Sequence, residues 1–70
     1  MFAFDMSVAD NFASFTNAET SEFVFVDSFD NEEFSISYGT IEATKVVAVV
    51  RASSDEELNT AIRQAVAKAQ

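Results

Sequence analysis

The groups in this chain that could do chemistry are carboxylates, serines and a few isolated cations; histidine and cysteine are absent. Their absence removes the commonest general base, the commonest transition-metal ligand, any thiolate nucleophile and any Cys/His zinc site. A serine nucleophile needs a positioned base. Lys45 could in principle supply one in a Ser–Lys arrangement, but no motif surrounds it. In a hairpin it would lie opposite Phe34 and carry its ammonium out to the sheet edge. A paired-carboxylate glycosidase needs a cleft between two walls, and a single sheet in 70 residues has little material to build one. The expectation is therefore a chain that is not an enzyme.

The densest polar run is Asp27, Asp30, Asn31, Glu32 and Glu33. It offers only oxygen ligands, which suit Ca²⁺ or Mg²⁺. Its spacing does not match an EF-hand loop, and the glycine such a loop requires is missing. It reads as a solvated turn, so neither a metal nor a cofactor is expected. Direct nucleic-acid binding is also disfavoured. Phosphate binding draws on clustered Lys and Arg, and this chain has four such residues, scattered. Carboxylates around the phenylalanines would repel a phosphate backbone.

What stands out is polarity along the chain. Residues 1–44 hold nine acids and no base, whereas residues 45–70 hold three acids and Lys45, Arg51, Arg63 and Lys68, for a total of −8. All eight phenylalanines lie between Phe2 and Phe34, and no aromatic follows Tyr38. Acidic residues interleaved with apolar ones can mark a segment that folds only on a partner. A hydrophobic content of 49% argues for an ordered front half, because each buried phenylalanine contributes about 2–3 kcal/mol.

An anionic surface is attracted to basic protein surfaces and gains association rate from steering. The leading expectation is a non-catalytic protein-binding module that docks on a basic protein through Asp27, Asp30, Glu32, Glu33 and Glu42. Its sharper form is an inhibitor, of the kind a virus or mobile element encodes, that occupies a nucleic-acid site by imitating phosphate charge. The bland reading is that these acids only keep a Phe-rich domain in solution. The alternative function is a structural subunit of a homo- or hetero-oligomeric assembly. It is motivated by apolar residues on both faces of the strands, which one helix cannot cover, and by open sheet edges. No apolar run approaches a membrane span and no signal-peptide pattern is present. The expected setting is the cytoplasm, with no membrane partner.

The elements that must carry these residues are legible to different degrees. Ser54 with Glu57 fits a capping box, Asp55, Glu56 and Glu57 suit the positive end of a helix dipole, and Lys68 suits the other end. Leu58, Ala61, Ile62, Ala65, Val66 and Ala69 form one apolar stripe. The run from Val46 to Val50 reads as a strand covered on both faces. Phe34, Ile36 and Tyr38 alternate with polar residues as in a half-buried strand. Gly39-Thr40 suits a two-residue hairpin turn with the glycine at positive φ, pairing Tyr38 with Ile41, Ile36 with Ala43 and Phe34 with Lys45. Residues 22–29 read as a further strand whose Phe23, Phe25 and Phe29 join the same apolar face. In the first twenty residues strand and helix patterns compete; the compromise is a short strand at 2–6 and a short helix at 8–16 capped by Ser7. The expected fold is α+β in a single domain, 1–70: a three- to four-stranded antiparallel meander with a C-terminal amphipathic helix on one face and a short N-terminal helix.

Overall fold

The computed structural model describes residues 3–40 and 42–70. Strands β1 (Phe12–Asn17), β2 (Glu22–Asp27), β3 (Glu33–Thr40) and β4 (Ala43–Arg51) form one antiparallel sheet in the order β1-β2-β3-β4, and helix α1 (Asp55–Ala69) follows. This is the expected α+β meander, with four strands.

Helix α1 starts where the sequence says it should. The Ser54 hydroxyl accepts the Glu57 N–H at 3.1 Å. The Glu57 carboxylate reaches back to the N–H of Ser53, at 2.8 Å, one residue earlier than in the standard capping box. Leu58, Ile62 and Val66 are buried against Val24, Val26, Phe34 and Ile36 of the sheet. The last four are fully inaccessible, so the core is one layer between α1 and one sheet face.

The N-terminal residues differ from expectation. No helix spans 8–16, and none of the described residues 3–6 is in a strand; Phe2 lies outside the described residues. Ser7 does act as a cap, but of a turn: its hydroxyl accepts the Ala9 N–H at 3.1 Å, and the Asp10 N–H reaches the Ser7 carbonyl at 3.0 Å. The turn delivers Phe12–Asn17 to the edge of β2, where backbone pairing outweighs the weak helical periodicity. Residues 3–8 instead lie against α1. Asn59 clamps Met6 from both sides, accepting its N–H at 2.8 Å and donating to its carbonyl at 2.9 Å. Asp55 accepts the Val8 N–H at 2.9 Å, and Phe4 packs edge-on to Phe15 with ring centroids 5.1 Å apart.

The β3–β4 hairpin is also corrected. Thr40 pairs with Ala43, and Gly39 lies within the strand opposite Thr44, not in the turn. Ile41, and with it the expected Tyr38–Ile41 pair, lies outside the described residues. No described glycine has positive φ; the left-handed residues are Ser21 and Asn31. Gly39 is there for close approach, because a Cβ would fall 2.0 Å from the Ala43 carbonyl oxygen. Tyr38 pairs with Lys45, Ile36 with Ala48 and Phe34 with Val50, with a β-bulge at Val47. The expected register would have set Lys45 against Phe34 at the centre of the core, where an unpaired ammonium is costly. The observed one moves the lysine to the rim.

In β2 the expected faces are exchanged. Val24 pairs with Tyr38 and Val26 with Ile36 on the core side, so Phe23 and Phe25 point the other way. Both faces of this strand are apolar, so alternation alone could not choose between them. The length of the 28–32 connection does, by pairing Asp27 with Ser35. Phe29 belongs to that connection and is fully exposed, at 107%.

Candidate docking face

Paired residues share a face, so the register places every second cross-strand pair on the helix-free side of the sheet. Phe12, Ser14 and Thr16 come from β1, Phe23, Phe25 and Asp27 from β2, Glu33, Ser35, Ser37 and Gly39 from β3, and Thr44, Val46, Val49 and Arg51 from β4. The bulge lets Val46 and Val49 both point outward, three residues apart. Among the described residues no segment packs over this face, because residues 3–8 are held on the other side by Asn59 and Asp55.

Its chemistry is mixed in an orderly way. Phe12 and Phe25 stack with centroids 6.4 Å apart, and Phe25 and Phe23 are nearly parallel at 6.0 Å, giving a row of three rings. Phe12 is 58% exposed, and across the sheet Val46 and Val49 are 59% and 54% exposed. Between the aromatic row and the valines, β3 contributes Ser35, Ser37 and Gly39, a line of small residues that ends at Glu33.

The acids expected to bind a partner divide into two groups. Asp27, Asp30, Glu32 and Glu33 gather at the β2–β3 connection, and Phe29 shares a shallow depression there with Asp27, Asp30, Glu33 and Ser35. Glu42 lies beyond the far end of β3, about 23 Å away at the rise of an extended strand. Asp30 has structural work as well. One oxygen of its carboxylate accepts the N–H groups of Glu32 and Glu33, each at 3.0 Å. The backbone N–H groups of Glu33 and then Glu32 hold its pKa below the ordinary carboxylate value. Asn31, in the left-handed conformation beside it, donates to the carbonyls of Val8 and Asp10 and ties this loop to the N-terminal segment.

Arg51 approaches Glu33 at 3.4 Å and Glu32 at 4.0 Å. Both pairs are solvent-exposed and weak. Four carboxylates against one guanidinium leave this end of the sheet at −3. The other three cations, Lys45, Arg63 and Lys68, are exposed elsewhere and make no ion pair among the described residues. At the opposite end Glu22 accepts hydrogen bonds from Tyr38 and Thr20, which lower its pKa; the same carboxylate raises that of Tyr38. These two groups face the helix side and are not part of the docking face.

Among the described residues no group of three or more His, Cys, Asp or Glu side chains is arranged to hold a metal ion, and no helix is long and apolar enough to cross a membrane. No protein-family model matches the chain, and no curated protein or solved structure is significantly similar to it. The residues that sequence reasoning missed here are Phe12, Phe29, Val46 and Val49. The signal was present in the doubly apolar run Phe23-Val24-Phe25-Val26, which requires a second covered face or a surface that meets another molecule.

Proposed function

We propose that this protein is a non-catalytic binding module that docks on a basic protein surface through the helix-free face of its sheet. The observation that carries the reading is the stacked row Phe12–Phe25–Phe23, with Phe12 exposed and the other two rings half-buried, beside exposed Val46 and Val49 and bordered by the acidic β2–β3 connection. A folded domain rarely leaves such a contiguous apolar patch in water unless something binds there. Aromatic anchors inside a charged border are the composition of binding hot spots. The fully exposed Phe29, set among Asp27, Asp30 and Glu33, is an anchor of the same kind.

Charge selects the partner. An apolar patch bordered by carboxylates fits a surface whose own apolar centre is ringed by Lys or Arg, and the field of the −8 molecule speeds the encounter. In its sharper form the partner's basic surface is one that ordinarily holds nucleic acid, and the module inhibits by occupying it. Four strands about 4.8 Å apart and about 20 Å long make a face of about 400 Å², below the size of a stable interface. A face of this size suits a weak, transient complex.

A second reading, a structural subunit that assembles through the same face, draws on the same exposed apolar row. The charge of −8 opposes it at low salt, where repulsion between copies is least screened. Capture from the cells of origin at moderate salt tests both readings, run beside light scattering of the free protein. The module reading expects a monomer at low and high salt, a captured partner rich in Lys and Arg, loss of capture in Phe25→Ser and in the double variant Asp27→Lys, Glu33→Lys, and competition by nucleic acid if the sharper form holds. A concentration-dependent oligomer at every salt contradicts it in favour of the subunit.

A further inference from the structure

Helix α1 and strand β4 enclose a second feature that differs from the docking face in place and in charge. β4 is the last strand of the sheet, and among the described residues nothing pairs with its outer edge. Beside that edge lies an open groove of about 880 Å³. One wall is Val47, Ala48 and Val50 of β4; the other is Ala61, Ala65 and Ala69 of α1, whose small side chains leave the space between the two elements unfilled. Lys45 and Lys68 stand at the end of the groove near Tyr38. They are half of the chain's four cations, and neither is paired with a carboxylate among the described residues.

We propose that this groove binds an extended peptide segment of a partner protein, apolar at alternate positions and carrying Asp or Glu toward one end, which adds to the sheet as a fifth strand beside β4. Three observations meet in this occupant. The free N–H and C=O groups of an edge strand are satisfied by main-chain pairing, the common way a sheet captures a peptide. Alternate side chains of an added strand fall on the core side, where the apolar groove lies. The carboxylate then faces Lys45 and Lys68, and an opposite-charge neighbour across strands is favourable.

Charge also excludes the obvious competitor, a second copy of the chain paired edge to edge. A lysine on the inward side of an edge strand and a bulge in that strand are devices that discourage such pairing, and Lys45 and Val47 supply both. The overall charge of −8 adds repulsion. An acidic peptide removes the objection that Lys45 raises, so the edge selects its strand by charge. The bulge divides β4 into two regular runs, 43–46 and 48–51. The first places the acid and the second the apolar residues.

The test is a nuclear magnetic resonance titration of the isotope-labelled full chain with two synthetic ten-residue peptides of alternating Val and Thr, one ending in two Glu and the other in two Lys. The expected result is saturable shifts of the amides of residues 43–51 and of side chains at 61, 65 and 69 with the Glu peptide. Affinity should fall about tenfold in the Lys45→Glu, Lys68→Glu variant, where two attractions become repulsions. Ala65→Phe, which fills the groove, should abolish binding; the unchanged fold of each variant is checked by its amide spectrum. The proposal is overturned if neither peptide shifts residues 43–51, if both bind the native chain equally, or if these amides broaden with protein concentration alone. Because the readout is confined to β4 and α1, it stands or falls separately from docking at Phe12, Phe23 and Phe25.

Discussion

Replacing Asn59 with Ala should release the N-terminal segment from α1, and the cost can be worked out from the structure. Asn59 makes two hydrogen bonds to Met6, at 2.8 and 2.9 Å, and Met6 is 2% exposed. Each bond is worth about 1 kcal/mol net, and a buried N–H or C=O left without a partner costs at least as much. The site is only partly buried, so the low end applies, about 2 kcal/mol for the pair. Alanine returns about 0.6 kcal/mol through its better helix propensity, leaving a net loss of about 1.5 kcal/mol. A chain of this size has about 4–10 kcal/mol to lose, and its melting temperature moves about 4–8 °C per kcal/mol. Asn59→Ala should therefore melt about 6–12 °C lower. Hydrogen exchange locates the effect. Protection of the Met6 amide should fall about tenfold or more, further than that of Val24 or Ile36 if the segment lifts off without unfolding the sheet. An unchanged melting temperature with a still-protected Met6 amide would refute the idea that Asn59 holds this segment on the helix side.

Other perturbations reach different parts of the fold. Phe34→Ala empties a fully buried site opposite Val50; a loss of about 3–5 kcal/mol should lower the melting temperature, followed by circular dichroism, by about 12 °C or more. Gly39→Ala puts a methyl group against the Ala43 carbonyl, so the β3–β4 hairpin must shift, and its amides should show faster hydrogen exchange than in the native chain. Tyr38 is the single tyrosine, so absorbance at alkaline pH reads it directly. Its midpoint should lie above the ordinary 10.0 because the Tyr38 hydroxyl donates a hydrogen bond to the Glu22 carboxylate, and Glu22→Gln should bring it back down. The contribution of this pair to stability is present below the unfolded tyrosine value and is lost as pH rises through the raised one. On the acid side the sign reverses: Glu22, with its lowered pKa, stabilises above the unfolded carboxylate value, and that contribution is lost as pH falls through the lowered one.

Where a single local signal was unopposed, the sequence located the element. Ser54, Glu57 and the stripe from Leu58 to Ala69 bound α1 closely, and the alternation of Phe34, Ile36 and Tyr38 identified the core side of β3. Failure came where two patterns had equal local merit. Residues 22–27 are apolar on both faces, so the choice between Phe23 and Val24 depended on the length of the following connection and on pairing with β3. The first twenty residues carried both periods, and for Phe12–Asn17 the contest was settled by tertiary pairing with β2. Gly39 invited a turn, but its value is the absence of a Cβ in a crowded strand. The acidic group at Asp27, Asp30, Glu32 and Glu33 could be read directly because those residues are near neighbours in sequence. The distance to Glu42, and the aromatic row beside the acids, required the register.

The helix-free face of the sheet is the proposed partner-binding surface. Cross-saturation on the labelled chain, bound to a captured basic protein, tests it directly. Saturation should transfer to Phe12, Phe23, Phe25 and Phe29 and to the methyl groups of Val46 and Val49, while Leu58, Ile62 and Val66 stay dark. Transfer centred on α1, or a face of the sheet that remains dark in the complex, would contradict it.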